Sequence, residues 1–350
     1  MESTRTISDA QKATSLCLLD SIETTAILQL PHCYADYRRS KHLIEFSCAR
    51  QLYEELDHAD LKNRVSQLNS CRQYAYFARN SETGKIRVIS NSCHLRWCPV
   101  CSDVKRVRIR SAVSEWLSHV RRPKFITLTM SHTTIAIETQ IKKLYRAFRL
   151  LRQHKFIKQA MRGGIWFFQI KKSKDGNRWH PHLHIVADSD FIDKRLLSLE
   201  WFETTGDSYI VDIQEVKKED EVSEYVSRYC SKPCKLSDFT KTDRHKIADV
   251  LHGKRLCGRF GTGAKCDFKS RPVKGTSEWQ RLGNWSDFIS NRPFDRTVQS
   301  IMLAWVRDEP VEYDICKALI LQENPETTVP AISPIVPKYR QAYFVDFVHL

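Results

Sequence analysis

Apolar residues recur at close to a 3.6-residue period in HLIEFSCARQLYEELDHADLKNRVSQL, where Leu43, Phe46, Leu52 and Leu56 predict helix within an N-terminal arm ending near residue 65. The texture then changes. Between Cys71 and Cys101 short β-like pieces, YAYFA and KIRVIS, flank Glu82-Thr83-Gly84-Lys85 with four cysteines interleaved. A basic stretch with Lys105, Arg106, Arg108 and Arg110 precedes a predicted strand, KFITLTM, at 124–130. A basic helix, IKKLYRAFRLLRQHKFIKQAM, is predicted to run up to Gly163-Gly164. In IWFFQIKKSKDGNRWHPHLHIVAD two β-rich arms flank Asp175-Gly176, the pattern of a hairpin. Helix (FIDKRLLSLEWFETT), strand (SYIVDIQEV) and helix (EDEVSEYVSRYCSK, stopped by Pro233) follow.

The order strand, helix, hairpin, helix, strand, helix predicts an α+β fold, an antiparallel sheet with flanking helices. Beyond about residue 280 the signals weaken into a tail carrying Pro325, Pro330, Pro334 and Pro337. The reading divides the chain into a helical arm (1–65), a zinc-binding module (66–104), a main domain (105–275) and a C-terminal extension (276–350).

Charge then narrows the partners. Fifty-six Lys and Arg against 41 Asp and Glu leave a formal net charge of +15, which favours a polyanion, nucleic acid before a membrane surface. No apolar run reaches the roughly 20 residues of a spanning helix, so a cytoplasmic protein without a membrane partner is expected. Twelve cysteines in a reducing compartment read as metal ligands or core residues, not as a disulfide framework.

Two constellations carry chemistry. Cys71 and Cys93-His-Leu-Arg-Trp-Cys98-Pro-Val-Cys101 bring four thiols to a Cys-x-x-Cys knuckle, which suits a closed tetrahedral zinc, although His94 could replace one sulfur. Cys230, Cys234, Cys257 and Cys266 could form a second site, but their irregular spacing favours unligated residues. His180, His182 and His184 alternate along WHPHLHIV, so on a strand all three imidazoles leave from one face. With Asp175-Gly176 as a two-residue turn, Gln169 faces His182 and Lys171 faces His180. Gln169, His182 and His184 then form a mixed oxygen and nitrogen set with open positions, suited to Mg²⁺ or Mn²⁺. In EYVSRYCSKP, Tyr225, Tyr229 and Lys232 share one helical face, a phenol pair with a cation able to stabilise a phenolate.

KFITLTM, WHPHLHIV and EYVSRYCSKP, in that order and after the cysteine knuckle, resemble the rolling-circle replication initiators of bacterial plasmids, members of the HUH endonuclease superfamily. The resemblance covers roughly residues 70–270. It implies that Thr127, Leu128 and Thr129 match the family's Thr-Leu-Thr strand and that His182 and His184 are its metal-binding pair. It further implies that Tyr229 is the nucleophile, with Lys232 as the motif lysine. The activity implied is a nick at a plasmid origin that leaves a 5′-phosphotyrosine and a 3′-hydroxyl primer, with strands rejoined at termination. Single-stranded or hairpin origin DNA and the host helicase and polymerase are the implied partners. HGKRLCGRFG is similar to an Arg- and Gly-bearing segment of the family.

Two departures stand out. Tyr225 takes a position where many plasmid initiators have glutamate, which implies termination by a second transesterification. Gln169 takes the place of a frequent glutamate ligand, which implies weaker metal binding. The rival readings are a transposase or relaxase of the same superfamily and a non-catalytic, zinc-containing DNA-binding regulator.

Overall fold

The computed structural model describes residues 27–56, 62–131, 135–173, 176, 178–216, 233–268 and 279–322. In chain order the elements are α1 (Tyr34–Ser40), α2 (Leu43–Glu55), α3 (Lys62–Ser70), β1 (Ala75–Asn80), β2 (Ile86–Ser90) and α4 (Pro99–Leu117). Next come β3 (Pro123–Thr129), α5 (Ile137–Leu151), α6 (Lys155–Ala160), β4 (Met161–Lys172), β5 (Trp179–Ser189), α7 (Lys194–Thr205) and β6 (Val211–Glu215). The described chain closes with α8 (Lys241–Val250), β7 (Cys257–Gly261), β8 (Trp279–Asn284), α9 (Trp285–Asn291), α10 (Arg296–Arg307) and α11 (Tyr313–Gln322). Two antiparallel sheets with flanking helices make this an α+β protein, as the sequence pattern predicts.

The chain forms two compact units, one from Met1–Leu43, Asn63–His94 and Pro272–Pro334, the other from Ile44–Lys62, Leu95–Arg271 and Ile335–Leu350. In the first, β2-β1-β8 form a three-stranded sheet. Phe77 of β1 stacks on Trp285 at 5.4 Å and on Phe288 at 4.4 Å between ring centroids, and Tyr34 packs 4.8 Å from Trp285. Val298, Ile301 and Met302 of α10 complete this core. Residues past 280, where sequence signals fade, therefore supply much of an aromatic core.

The second unit holds a five-stranded sheet in the order β6-β3-β5-β4-β7. Ile109, Val113 and Trp116 of α4 cluster with Phe125, Ile165, Phe167 and Val186 on one face. On the other, Tyr145 and Phe148 of α5 meet Trp166, and Tyr145 also meets Phe168. Helix α7 starts at Asp193, whose carboxylate accepts from the N–H groups of Arg195 and Leu196, a cap worth about 1 kcal/mol. It ends at Gly206 in the left-handed region.

Three local expectations need correction. Leu43, predicted on the buried helical face, is 67% exposed, and α2 buries Cys48, Ala49, Leu52 and Tyr53 instead. The basic helix breaks at Leu151 and stops at Ala160, so Gly163 and Gly164 lie within β4 rather than ending a helix. Their need is close approach: a Cβ on Gly163 would meet the backbone nitrogen of Thr262 at 2.2 Å, and one on Gly164 the Val186 carbonyl oxygen at 2.6 Å. The predicted two-residue turn is longer, since Ser173 and Arg178 close the loop, Ser173 N–H donating to the Arg178 carbonyl. The pairing is unchanged because the loop is centred on the same point.

Candidate functional site

Strand β5 is flanked by β3 and β4, so every residue on it has a neighbour on both sides. Gln169 pairs with His182 and Lys171 with His180, the register expected from the sequence. On the other side Thr127 pairs with His184 and Thr129 with His182. Strand alternation puts the three histidines on the face that α4 covers further along, where Phe167, the β4 partner of His184, belongs to its apolar cluster.

Nε2 of His182 lies 2.6 Å and Nε2 of His184 3.0 Å from the same atom, Oε1 of Gln169. The outer nitrogens decide what this means. His182 Nδ1–H donates to the His180 carbonyl at 3.1 Å, and a carbonyl can only accept, so the neutral ring carries its lone pair on Nε2. His184 Nδ1 lies 3.2 Å from the Thr127 hydroxyl, a group that can accept from the ring or donate to it. Burial pushes His182 down to about 4, with Lys171 and His180 adding to the shift against the His180 carbonyl contact, and His184 down to about 2. The Nε2 lone pair of His182 therefore faces the Gln169 carboxamide oxygen, and His184 presents a second ring nitrogen to the same oxygen. A cation would satisfy such a set, and the mixed nitrogen and oxygen donors of His182, His184 and Gln169 fit a divalent metal. His180 stands apart at one end, its ring centroid 5.5 Å from that of His182.

The surroundings are cationic. Lys171 lies close enough to disfavour protonation of both His182 and His184, and Lys105, Arg255, Arg259 and Arg96 act together on buried Cys257, whose thiol burial nevertheless pushes up. Lys105, Arg108 and Arg110 are exposed on α4, as are Lys142, Arg146 and Arg149 on α5. Such charge suits a phosphate backbone.

The other sequence candidates divide as follows. Cys71, Cys93, Cys98 and Cys101 form a group able to hold a metal ion, four thiols that fit zinc. Cys98 caps α4 and Cys101 lies in its first turn, behind Pro99 at N1. Cys234, Cys257 and Cys266 are buried, the last two within the apolar cluster of α4. Tyr225, Tyr229, Lys232 and Cys230 lie outside the described residues. Sequence reasoning missed two features. One is the contact of Thr127 with His184. The other is a second metal-capable group, His154 with Glu200 and Glu203, signalled only by the i,i+3 spacing of the carboxylates on α7.

Residues 87–266, just over half of the chain, match the family described as replication protein. The chain belongs to the replication protein family. The matched segment contains the knuckle cysteines Cys93, Cys98 and Cys101, the Thr-Leu-Thr strand, the histidine strand and both motif tyrosines, leaving only Cys71 outside. Among curated relatives, a protein named Protein rep from Bacillus sp is 26% identical over 170 residues, 44% of this chain and 55% of that one. A Protein rep from Staphylococcus aureus is 25% identical over 169 residues, covering 44% of this chain and 74% of that one. A third, from Bacillus amyloliquefaciens, is 25% identical over 130 residues, 35% and 38% of the respective chains. The chain thus spans about half the length of the first of these relatives. No solved structure matches it. No described helix of this family member is long and apolar enough to cross a membrane.

Proposed function

We propose that the chain is a rolling-circle plasmid replication initiator with an HUH endonuclease fold, which nicks one origin strand through Tyr229. The observation that carries this reading is the convergence of His182 Nε2 and His184 Nε2 on Gln169 Oε1 inside the family-matched segment.

Gln169, His182 and His184 would hold the catalytic Mg²⁺ or Mn²⁺, which when bound supplies Lewis acidity at the scissile phosphate. The Tyr229 phenol loses its proton and attacks phosphorus in line. The bond to the 3′ oxygen breaks, and that oxygen takes up a proton as the primer hydroxyl, while the 5′ phosphate stays on tyrosine. Lys232, three residues further along the sequence, favours the phenolate by its charge. Tyr225 receives the strand in the second transfer at termination. Thr127 holds His184 in its ligating tautomer.

Single-stranded or hairpin-extruded origin DNA is the substrate, since a phosphate within stacked duplex is out of reach of a sheet-borne site. The basic faces of α4 and α5 track its backbone. Host helicase and polymerase continue from the 3′-hydroxyl, in the cytoplasm. The Cys71, Cys93, Cys98 and Cys101 group would hold a structural Zn²⁺ ahead of the HUH domain at 105–275, while residues from 279 on complete the sheet of β1 and β2.

A nicking assay on single-stranded origin fragments tests the reading. The wild type gives a covalent protein–DNA adduct whose phosphotyrosine maps to residue 229, and Tyr229→Phe binds DNA without forming it. Equal adduct yields from the two proteins would overturn the assignment, and an adduct mapped to Tyr225 would exchange the two roles.

A further inference from the structure

The three-stranded sheet of the first unit has two unlike faces. Phe77, Val88 and Leu282 point into the aromatic core. By strand alternation Tyr76 and Ala78 of β1, Arg87 and Ile89 of β2, and Trp279 and Arg281 of β8 point the other way. Register sets them side by side: Ala78 lies between Arg87 and Arg281, Tyr76 is beside Ile89, and Asn80 is beside Trp279. The Arg87 guanidinium lies 4.9 Å from the ring centroid of Trp279, and that of Arg281 lies 4.8 Å from the ring of Tyr76.

The outward face of an antiparallel sheet ordinarily mixes acidic with basic residues, because opposite charges stabilise cross-strand pairs. Here neither Asp nor Glu occurs anywhere in β1, β2 or β8. Every side chain on this face larger than Ile is an aromatic ring or a guanidinium. Tyr76 and Trp279 are also only partly buried, whereas Phe77 and Trp285 on the core side are 0% and 1% exposed. Both rings thus keep part of their surface in solvent, each beside a cation, and Ala78 on the central strand is 0% exposed.

We propose that this face binds single-stranded DNA, its bases stacking on Tyr76, Trp279 and the guanidinium planes while Arg87 and Arg281 counter its phosphates. Unstacked bases can use exposed ring faces, whereas a duplex buries its own. An acidic peptide would use the charge and leave the planes idle. The face is separate from the histidine strand and gives the chain a hold on a strand that does not depend on cleavage.

The test uses the full chain in EDTA, so that no strand is cut, and a fluorescein-labelled oligothymidylate of about 15 nucleotides, within the span a sheet platform covers. Photocrosslinking with 5-iododeoxyuridine in place of thymidine, on the unsubstituted chain, should map adducts to Tyr76 or Trp279. In anisotropy titrations Trp279→Ala should weaken binding about tenfold while Trp279→Phe keeps most of it. Arg87→Gln with Arg281→Gln should lower the salt dependence, reducing the slope of log affinity against log salt by about 1.4 for two lost single-strand phosphate contacts. Crosslinks confined to other segments would overturn the proposal. So would natively folded variants with unchanged affinity and slope, or competition by polyglutamate or duplex equal to that by oligothymidylate. The crosslink is read without any substitution, so a variant that fails to fold does not decide the outcome.

Discussion

The Thr127 hydroxyl stands 3.2 Å from Nδ1 of His184, and this contact joins two motifs 57 residues apart in the chain. It is possible because β3 and β5 are antiparallel neighbours that pair these two residues directly. Thr127→Val keeps the shape of the side chain and removes the hydroxyl, so the ring is freed to rotate or to change tautomer. Loss of such an outer partner lowers metal affinity by about 10–100-fold. The Mn²⁺ concentration for half-maximal nicking should therefore rise by that factor, with the rate restored at saturating Mn²⁺, and Thr127→Ser should recover the wild-type value. An unchanged Mn²⁺ requirement in Thr127→Val would leave Thr127 as packing only.

The register behind this arrangement is legible in the sequence because a hairpin obeys a sum rule: any symmetric loop around Asp175-Gly176 puts Gln169 opposite His182. The start and end of α7 are likewise local events, written in Asp193 and Gly206. The packing of Phe77 on Trp285 is different. Each residue looks like an ordinary apolar position, and nothing local says that strands about 200 residues apart share a sheet, so β8 and the helices after it fade into an apparent tail. Of the candidate site, the shared face of the three histidines was readable from alternation alone. The contact of Thr127 with His184 was not, since a threonine in a strand is favoured by β propensity whether or not it has a partner.

Gly163 tests the same distinction between local and distant causes. If it merely ended a helix, alanine would be tolerated. Its absent Cβ instead leaves room for Thr262, whose backbone nitrogen and hydroxyl would lie 2.2 and 2.6 Å from it. Thr262 in turn donates to Asp188, which also accepts from Arg162, so the neighbour is held in place. Gly163→Ala should destabilise the second unit by roughly 1–3 kcal/mol, the usual cost of overpacking, read as a lower urea midpoint with an unchanged slope. An unaltered midpoint would show that the β7 end yields freely.

Glu55 of α2 accepts from Lys241 and His245 of α8, at 2.7 and 2.9 Å. The Lys241 hydrogen bond is the largest cause holding its carboxyl at about 2 against an ordinary 4.5, with His245 and Gln51 adding to it and desolvation opposing. A depressed carboxyl stabilises the fold above its unfolded value and loses that contribution as pH falls toward its folded one. The melting temperature of the wild type should exceed that of Glu55→Gln at pH 7, and the gap should close between about pH 4.5 and 2. Because the pair is exposed, added salt should narrow the gap at pH 7 as well. A gap that is constant from pH 7 to 2 would mean that the substitution acts through something other than the charge.

The cysteine group and the histidine row differ in chemistry, and chelation should separate them. Four thiols at Cys71, Cys93, Cys98 and Cys101 can saturate a tetrahedral zinc, and a saturated structural site is part of the folded state itself. Gln169, His182 and His184 supply three neutral donors, so a metal there keeps positions open to solvent and exchanges readily. Mild EDTA treatment should therefore abolish nicking first, while zinc stays with the protein by elemental analysis and the far-UV circular dichroism is unchanged. Mg²⁺ or Mn²⁺ added back should restore nicking without refolding. His182→Ala and His184→Ala should each stop nicking at any metal concentration, Gln169→Ala should raise the metal requirement, and His180→Ala, at one end of the row, should have the mildest effect. Cys98→Ser should act elsewhere, lowering solubility and zinc content together, since it removes a thiol from the residue that caps α4. Nicking that persists in excess EDTA would remove the catalytic metal from this scheme, and soluble, active protein without zinc would remove the structural one.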